Sequence, residues 1–242
     1  MALDYQPLYI LAGGMLLEER KLAVITNNLA NANTSAFKKD LLEVESWYAD
    51  MGNRINDSSP ANPTNNFVYP MVSGVFTDLS QGPLKETGND FDIAIEGEGF
   101  FALETPEGVR FTRKGNFTLD GEGFLVSEEG FRVLGRDMEG IRIEGNDVRI
   151  DGDGNVYVDG ERVATVGVWI LPDARKVGLD LFEGTPQPSP NYKLRQGFLE
   201  LSNVNPIMEM VRLIETSRAH EVYTRLVQAI DEVQEKVNTI AR

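Results

Sequence analysis

Apolar positions in this chain form two long helical series at the ends and a set of short alternating runs between them. In the first 30 residues Leu8, Leu11, Met15, Leu22, Ile25 and Leu29 recur at alternating spacings of three and four, with Glu18 as the one break. That is the pattern of a helix packing along a single seam. Near the other end Ala219, Tyr223, Leu226, Ile230, Val233, Val237 and Ile240 keep an unbroken four-three alternation. Asn205-Pro206 ahead of them is a helix start, with proline at the first helical position. At 1.5 Å per residue the two helices are roughly 40 and 50 Å long. Two apolar-seamed helices at opposite chain ends are expected to pair with each other as a coiled coil. Gly13-Gly14 costs up to about 1 kcal/mol per glycine in a helix, and a close helix approach is one reason to keep it.

Between the helices the period changes. Residues 38–75 scatter Trp47, Tyr48, Phe67 and Tyr69 through a run rich in turns, including Asn53, Asn56-Asp57-Ser58-Ser59-Pro60 and Asn62-Pro63. Proline and asparagine at that density oppose a long helix, so an extended connector with a short hairpin is expected, its aromatics tucked against neighbours. From Gly74 to about Leu201 short runs (Phe91–Ile95, Phe100–Leu103, Gly123–Val126, Val148–Ile150, Val156–Val158, Val163–Leu171) alternate with glycine-bearing turns such as Glu107-Gly108, Asp120-Gly121 and Asp159-Gly160. Regularly spaced strands with such turns predict an all-β antiparallel domain. The fold class expected is α+β: helical segments 1–35 and 202–242, a connector 36–75, and a central β domain 76–201.

Charge sharpens this division. The net charge is −15 over 242 residues. Residues 1–40 hold four acids and four bases, and residues 206–242 hold six acids and five bases, leaving −14 between them. Near-neutral ends suit packing and an acidic centre suits solvation. So negative a chain is a poor partner for nucleic acid. No apolar run approaches the roughly 18–20 residues of a membrane span, so membrane insertion is not expected. The N-terminus lacks a basic region before an apolar block and carries Asp4 early, so a cleaved secretory signal is not expected. The chain has no cysteine, which removes disulfides and thiolate chemistry.

Candidate chemistry is thin. His220 is the only histidine, and neither a catalytic triad nor a multi-histidine metal site can be built on it within one chain. Asp151-Gly152-Asp153-Gly154-Asn155 opens like a calcium loop, but Val156 and Arg162 stand where that loop needs Gly and Glu, so a hairpin turn is favoured. Gly97-Glu98-Gly99 lacks the third glycine and the context of a dinucleotide loop. No catalytic residue, cofactor or metal ligand is assigned. A hydrolase using a pair of surface carboxylates is a distant rival.

Four sequence blocks carry a family resemblance. Asn27-Asn28-Leu29-Ala30-Asn31-Ala32-Asn33-Thr34-Ser35-Ala36-Phe37-Lys38 resembles the Asn-Asn-Leu-Ala-Asn-x-x-Thr-x-Gly-Phe-Lys signature of the flagellar axial proteins, which form rod and hook. Ala36 stands where that signature has glycine, and a left-handed turn would strain alanine, so this chain is expected to make the turn differently. Gly88-Asn89-Asp90-Phe91-Asp92-Ile93-Ala94-Ile95-Glu96-Gly97-Glu98-Gly99-Phe100-Phe101, Phe111-Thr112-Arg113-Lys114-Gly115-Asn116-Phe117 and Gln196-Gly197-Phe198-Leu199-Glu200-Leu201-Ser202-Asn203-Val204-Asn205 resemble further blocks of the same family in the same order. The modest length, the single β domain, Ser80-Gln81-Gly82-Pro83-Leu84 and the short connector before it look most like a proximal rod subunit, with the distal rod or a hook-type subunit as competitor.

The resemblance implies a non-enzymatic structural subunit that polymerises into the tubular drive shaft. Its partners would be copies of itself, other rod subunits and the flagellar export apparatus. It would leave the cell unfolded through that apparatus and assemble in the periplasm. The candidate assembly residues are Leu8, Leu11, Met15, Leu22, Ile25, Asn27, Asn28, Leu29, Asn31 and Phe37 at one end. At the other they are Ile214, Tyr223, Leu226, Ile230, Val233, Val237 and Ile240. Extra apolar residues such as Leu16, Leu17, Val24, Val211, Val222 and Val227 widen both stripes beyond what one helix pair can cover, which favours packing between subunits. A secreted β-domain binding module with oligomerising helices is the alternative from another class.

Overall fold

The computed structural model describes residues 6–50, 66–145, 147–178 and 180–240. The turn-rich residues 51–65 expected in the connector lie outside them, as do the side chains of Trp47, Tyr48, Phe67 and Tyr69. The chain divides into two compact units. One comprises residues 1–29, 40–76 and 205–242, the other residues 30–39 and 77–204.

The first unit holds both long helices, α1 (Gln6–Ala30) and α2 (Pro206–Ile240), and a two-stranded sheet of β1 (Asp40–Asp50) and β2 (Asn66–Thr77). These strands have 11 and 12 residues, longer than the short hairpin expected. Helix α2 starts where the sequence predicts. The Asn205 side-chain oxygen accepts the N–H groups of Ile207 at 3.1 Å and Met208 at 3.3 Å, satisfying two of the orphan donors of the first turn. The two helices meet at Gly14, where a β-carbon would stand 2.6 Å from Cε1 of Tyr223. Gly14 is therefore the glycine that serves close approach, while a β-carbon at Gly13 would meet nothing within 4 Å.

The helix faces do not follow the most apolar series. Among the described side chains of α2, Glu209, Leu213, Thr216, His220, Tyr223, Val227 and Ile230 are buried or half-buried at four-three spacing, with half-buried Ala219 and Thr224 beside them. Of the predicted seam, Tyr223 and Ile230 fall on this face, whereas Leu226 is 45% exposed and Val233 59% exposed. In α1 a matching series of Leu11, Gly14, Glu18, Lys21, Ile25 and Asn28 is turned inward. Glu18, the apparent break in the apolar series, is thus a member of the inward face, and its carboxylate binds Lys21 at 2.8 Å. Small and polar side chains therefore share the inward faces with apolar ones such as Ile25, and Leu17 is buried as well, while Leu16, Leu226 and Val233 are exposed.

The second unit is the antiparallel β domain, with a nine-stranded sheet, a three-stranded sheet and two further strand pairs. Strand Phe100–Thr105 is central. It pairs with Gly108–Thr112 along one edge and with Arg132–Leu134 and Val168–Ile170 along the other. Its run Phe100-Phe101-Ala102-Leu103 is continuous rather than alternating because both faces are buried. Phe101 and Leu103 join the main core with Ile93, Ile95, Leu125 and Val133, while Phe100 and Ala102 join a second cluster with Phe111, Trp169 and Phe182. Asp159-Gly160 makes a two-residue hairpin turn with φ of 50° and 90°, the left-handed pair that matches strand twist. The expected single strand Val163–Leu171 is instead two, Glu161–Thr165 and Val168–Ile170, which belong to different sheets. The break is at Gly167, whose missing β-carbon would lie 2.8 Å from the Gly135 carbonyl oxygen.

Ala36 overturns the expectation that this chain avoids the left-handed turn: its φ is 55°. Its N–H donates to the Glu200 carbonyl at 2.8 Å, and its methyl is buried. The strain of an alanine there is about 1–2 kcal/mol. Glycine would relieve it but lose a buried methyl worth about 0.8 kcal/mol and gain unfolded-state freedom worth about 0.4–1 kcal/mol. Ala36→Gly is therefore expected to move urea stability by less than about 1 kcal/mol, whereas Ala36→Val, β-branched at a positive φ, should lower it clearly.

Candidate functional site

Three of the sequence blocks converge on one buried carboxylate in the β unit. Lys38 and Glu200 are each 1% exposed at the side chain, with Nζ 2.6 Å from Oε1, and Arg113 binds Oε2 through Nε and Nη2, both at 2.8 Å. The rest of the guanidinium is absorbed by backbone. Nη1 donates to the carbonyls of Gly97 and Gly99 and Nη2 to that of Ile95. Lys38 also donates to the Ser80 carbonyl at 2.6 Å, and the Gly82 N–H donates to Oε1 at 2.8 Å. Gly82 has to be glycine here, since a β-carbon would lie 2.0 Å from the Leu201 carbonyl oxygen.

Two cations share one carboxylate, and carbonyl dipoles take up the remaining donors, so the groups that would be costly to bury alone are satisfied together. Burial pulls the Lys38 amine below its ordinary pKa, with Glu200 pulling the other way. Asn203 reinforces the knot: its oxygen accepts the Lys39 N–H at 2.8 Å, and its amide donates to the carbonyls of Asp78 and Ser80. Lys176 lies 4.0 Å over the Phe37 ring and donates to the Lys38 carbonyl. The segment after α1, the loop at 78–82 and the strand before α2 are thus stitched to the β sheet by one network.

The predicted assembly residues sort into four groups. Asn28, Asn31 and Phe37, expected at subunit contacts, make contacts inside their own chain. Asn28 exchanges two hydrogen bonds with the backbone of Asp40, at 2.8 and 2.9 Å, Asn31 accepts from Thr34, and Phe37 is 2% exposed. Leu11, Met15, Leu22, Leu29, Tyr223 and Ile230 are half-buried and Ile25 is buried. Asn27, Ile214, Leu226 and Val233 are exposed. Leu8, Val237 and Ile240 fall on the helices, but their side chains lie outside the described residues.

Lys38, Arg113 and Glu200 stand in the family-like blocks, yet the sequence reading assigned them no role. The available signal is that each is a charged residue inside a block otherwise built of turn and core residues. Asp92 carries the same signal: it is buried, and its oxygens accept Thr87 Oγ1 at 2.6 Å and the Asn89 amide at 3.1 Å.

Among the described residues no group of three or more His, Asp or Glu is placed to hold a metal ion. The calcium-like loop is a turn: Asp151 accepts the N–H groups of Asp153 and Asn155 and the Asn155 amide. Burial pushes the Asp151 carboxyl up, but these hydrogen bonds outweigh it and hold the group below its usual range. Among the described residues no helix is long and apolar enough to cross a membrane.

The fold joins two terminal helices to an antiparallel β unit that is closed by an internal ionic knot. Comparison with known proteins agrees. The family model described as Flagella basal body rod protein matches residues 8–38, Flagellar hook protein FlgE/F/G D1 domain matches 94–158, and Flagellar basal body rod FlgEFG protein C-terminal matches 195–240. The chain is 36% identical over 229 residues to the flagellar basal-body rod protein FlgF of Caulobacter vibrioides, covering 90% of this chain and 91% of that one. Identity to FlgF of Mesorhizobium japonicum is 32%, covering 88% of each chain. Identity to the rod protein FlgG of Bacillus subtilis is 30% over 257 residues, covering 96% and 97%. The chain belongs to the flagellar basal-body rod protein family.

The knot yields a direct prediction. Glu200→Gln leaves Lys38 and Arg113 buried without their counter-charge and should cost about 3–5 kcal/mol, measured as the shift in urea unfolding. Loss below about 1 kcal/mol would place the three groups in a solvated, weakly coupled setting.

Proposed function

We propose that this protein is a non-enzymatic structural subunit of the proximal flagellar rod, held to its neighbours through the outward faces of its terminal helices. The observation that carries this is the inverted polarity of α2. Glu209 and Thr216 are buried, while Ile207, Met208, Met210, Val211, Ile214, Val222, Leu226 and Val233 are 44–68% exposed. Covering apolar side chains stabilises by about 25 cal/mol per Å², and the helix pair leaves these uncovered. Neighbouring subunits cover them in the rod.

The approach of Gly14 to Tyr223 and the matching inward faces support coiled-coil pairing of α1 with α2. Segments 1–35 and 202–242 form the helical layer of the rod, residues 36–75 link it, and the acidic β domain 76–201 faces solvent. Export through the flagellar apparatus and assembly in the periplasm go with this role. The proximal position is supported by alignment length. FlgF relatives align over 229 and 224 positions, whereas FlgG of Bacillus subtilis needs 257 against the 242 residues of this chain and so carries insertions relative to it.

Leu226→Asp places a charge on the exposed stripe and removes nothing from the β core. Cells carrying it as their sole copy should lose motility and basal-body incorporation of the protein, while the purified variant keeps its β-sheet circular dichroism and unfolding midpoint. Normal swimming would contradict assembly through this face.

A further inference from the structure

Two backbone irregularities of the β unit flank one groove. The first is in strand Glu161–Thr165, at the edge of the three-stranded sheet. Ala164 pairs with Val156 and Arg162 with Tyr157, so Val163 is an extra, unpaired residue, a β-bulge. A bulge breaks the alternation of faces and re-aims side chains, and here Arg162 and Val163 are both exposed, Val163 by 48%. The second irregularity is the turn after strand Arg132–Leu134. Met138 holds φ at 63° there, a left-handed value uncommon for a large side chain, and stands 36% exposed. Its N–H donates to the Gly135 carbonyl at 3.0 Å, and the Gly135 N–H donates to the Glu139 carbonyl at 2.8 Å. Such strain persists only where the surroundings over-determine it, and it clusters at functional surfaces.

Turn and bulge are fastened to each other. The Arg136 N–H donates to the Thr165 carbonyl at 2.9 Å. Between them lies a groove of about 410 Å³ lined by Arg136, Asp137, Arg162, Val163, Ala164 and Thr165. Asp137 Oδ1 is directed into its own turn, where it accepts the Glu139 N–H at 3.2 Å, and Thr165 Oγ1 donates to Asn155 at 3.2 Å. Arg162 reaches the Asn155 side-chain oxygen only at 3.5 Å. The groove therefore offers two exposed arginines and an exposed valine on a chain whose net charge is −15. Arginine forks match carboxylates, and a local pair of them on an acidic surface concentrates the attraction for anionic groups at one point. We propose that the groove docks an acidic segment of a partner protein, with carboxylates on Arg136 and Arg162 and an apolar neighbour on Val163. Neither terminal helix takes part, so this contact is separate from those that build the rod.

Isothermal titration of the full-length protein at low salt with the peptide acetyl-Glu-Val-Glu-Val-Glu-amide tests this. Saturable one-to-one binding is expected, weakened at least tenfold when glutamine replaces glutamate in the peptide, and weakened by added salt. Arg136→Gln combined with Arg162→Gln should weaken it as much, and so should Val163→Asp, with the urea unfolding midpoint unchanged. Arg142→Gln, at an exposed arginine elsewhere in the β unit, should leave binding intact. Should a groove variant fail to fold, the two peptides on the unaltered protein decide the matter. No saturable binding, equal binding of the glutamine peptide, or equal loss with Arg142→Gln overturns the docking site. Glutarate binding as tightly as the peptide makes the groove a small-anion site, and self-association abolished by the paired arginine variant makes the occupant a second copy. Either result overturns the partner segment. All of these outcomes leave the rod reading standing, since that reading is tested separately by Leu226→Asp.

Discussion

The buried Glu200 carboxylate is the constraint on which the β unit of this subunit depends. It lies six residues before α2 begins at Pro206, and its two cations come from residue 38, eight residues past the end of α1, and from residue 113 in the middle of the chain. Sequence separations of 162 and 87 residues are closed by bonds of 2.6 and 2.8 Å. Such a network has little merit as a source of net stability, because desolvating three charges consumes most of what their attraction returns. Its merit is specificity: one carboxylate with two lone-pair-rich oxygens accepts Lys38, Gly82 and Arg113 in a single arrangement. The chain segments that flank the helices are thereby fixed into the β unit in one register.

The helices follow a different logic. Their inward faces carry Glu18, Asn28, Glu209 and Thr216 beside Gly14 and Ile25, all buried. A long helix whose better apolar residues face outward is poorly satisfied alone. The proposed assembly would answer this distribution by covering the exposed apolar side chains of α2 with neighbouring subunits.

Much of this was legible in the sequence. Asn205-Pro206 marks the start of α2 because asparagine caps and proline needs no partner for its missing N–H, and both roles appear at that position. Asp159-Gly160 declares its turn for an equally local reason. Local signals ran out where long-range packing decides. The period of the helices is visible, but which of several overlapping series turns inward depends on packing between helices, as where Gly14 makes room for Tyr223, and no local period reports that. The Val163–Leu171 run reads as one strand because the Gly135 backbone that interrupts it is distant in sequence. Ala36 adopts a left-handed turn because the Glu200 carbonyl holds its N–H. Lys38, Arg113 and Glu200 carry no spacing that says they pair.

Hydrogen exchange of the backbone amides, read in the purified monomer and in assembled basal bodies, tests the central claim most directly. The account predicts that residues 77–204 are protected in both states, because their core and ionic knot are complete within one chain. It predicts that α2, residues 206–240, exchanges readily in the monomer and becomes protected on assembly, when its outward face is covered. Equal protection of α2 in both states would show that the helix needs no neighbour, and would contradict the claim that this surface is finished only in the rod.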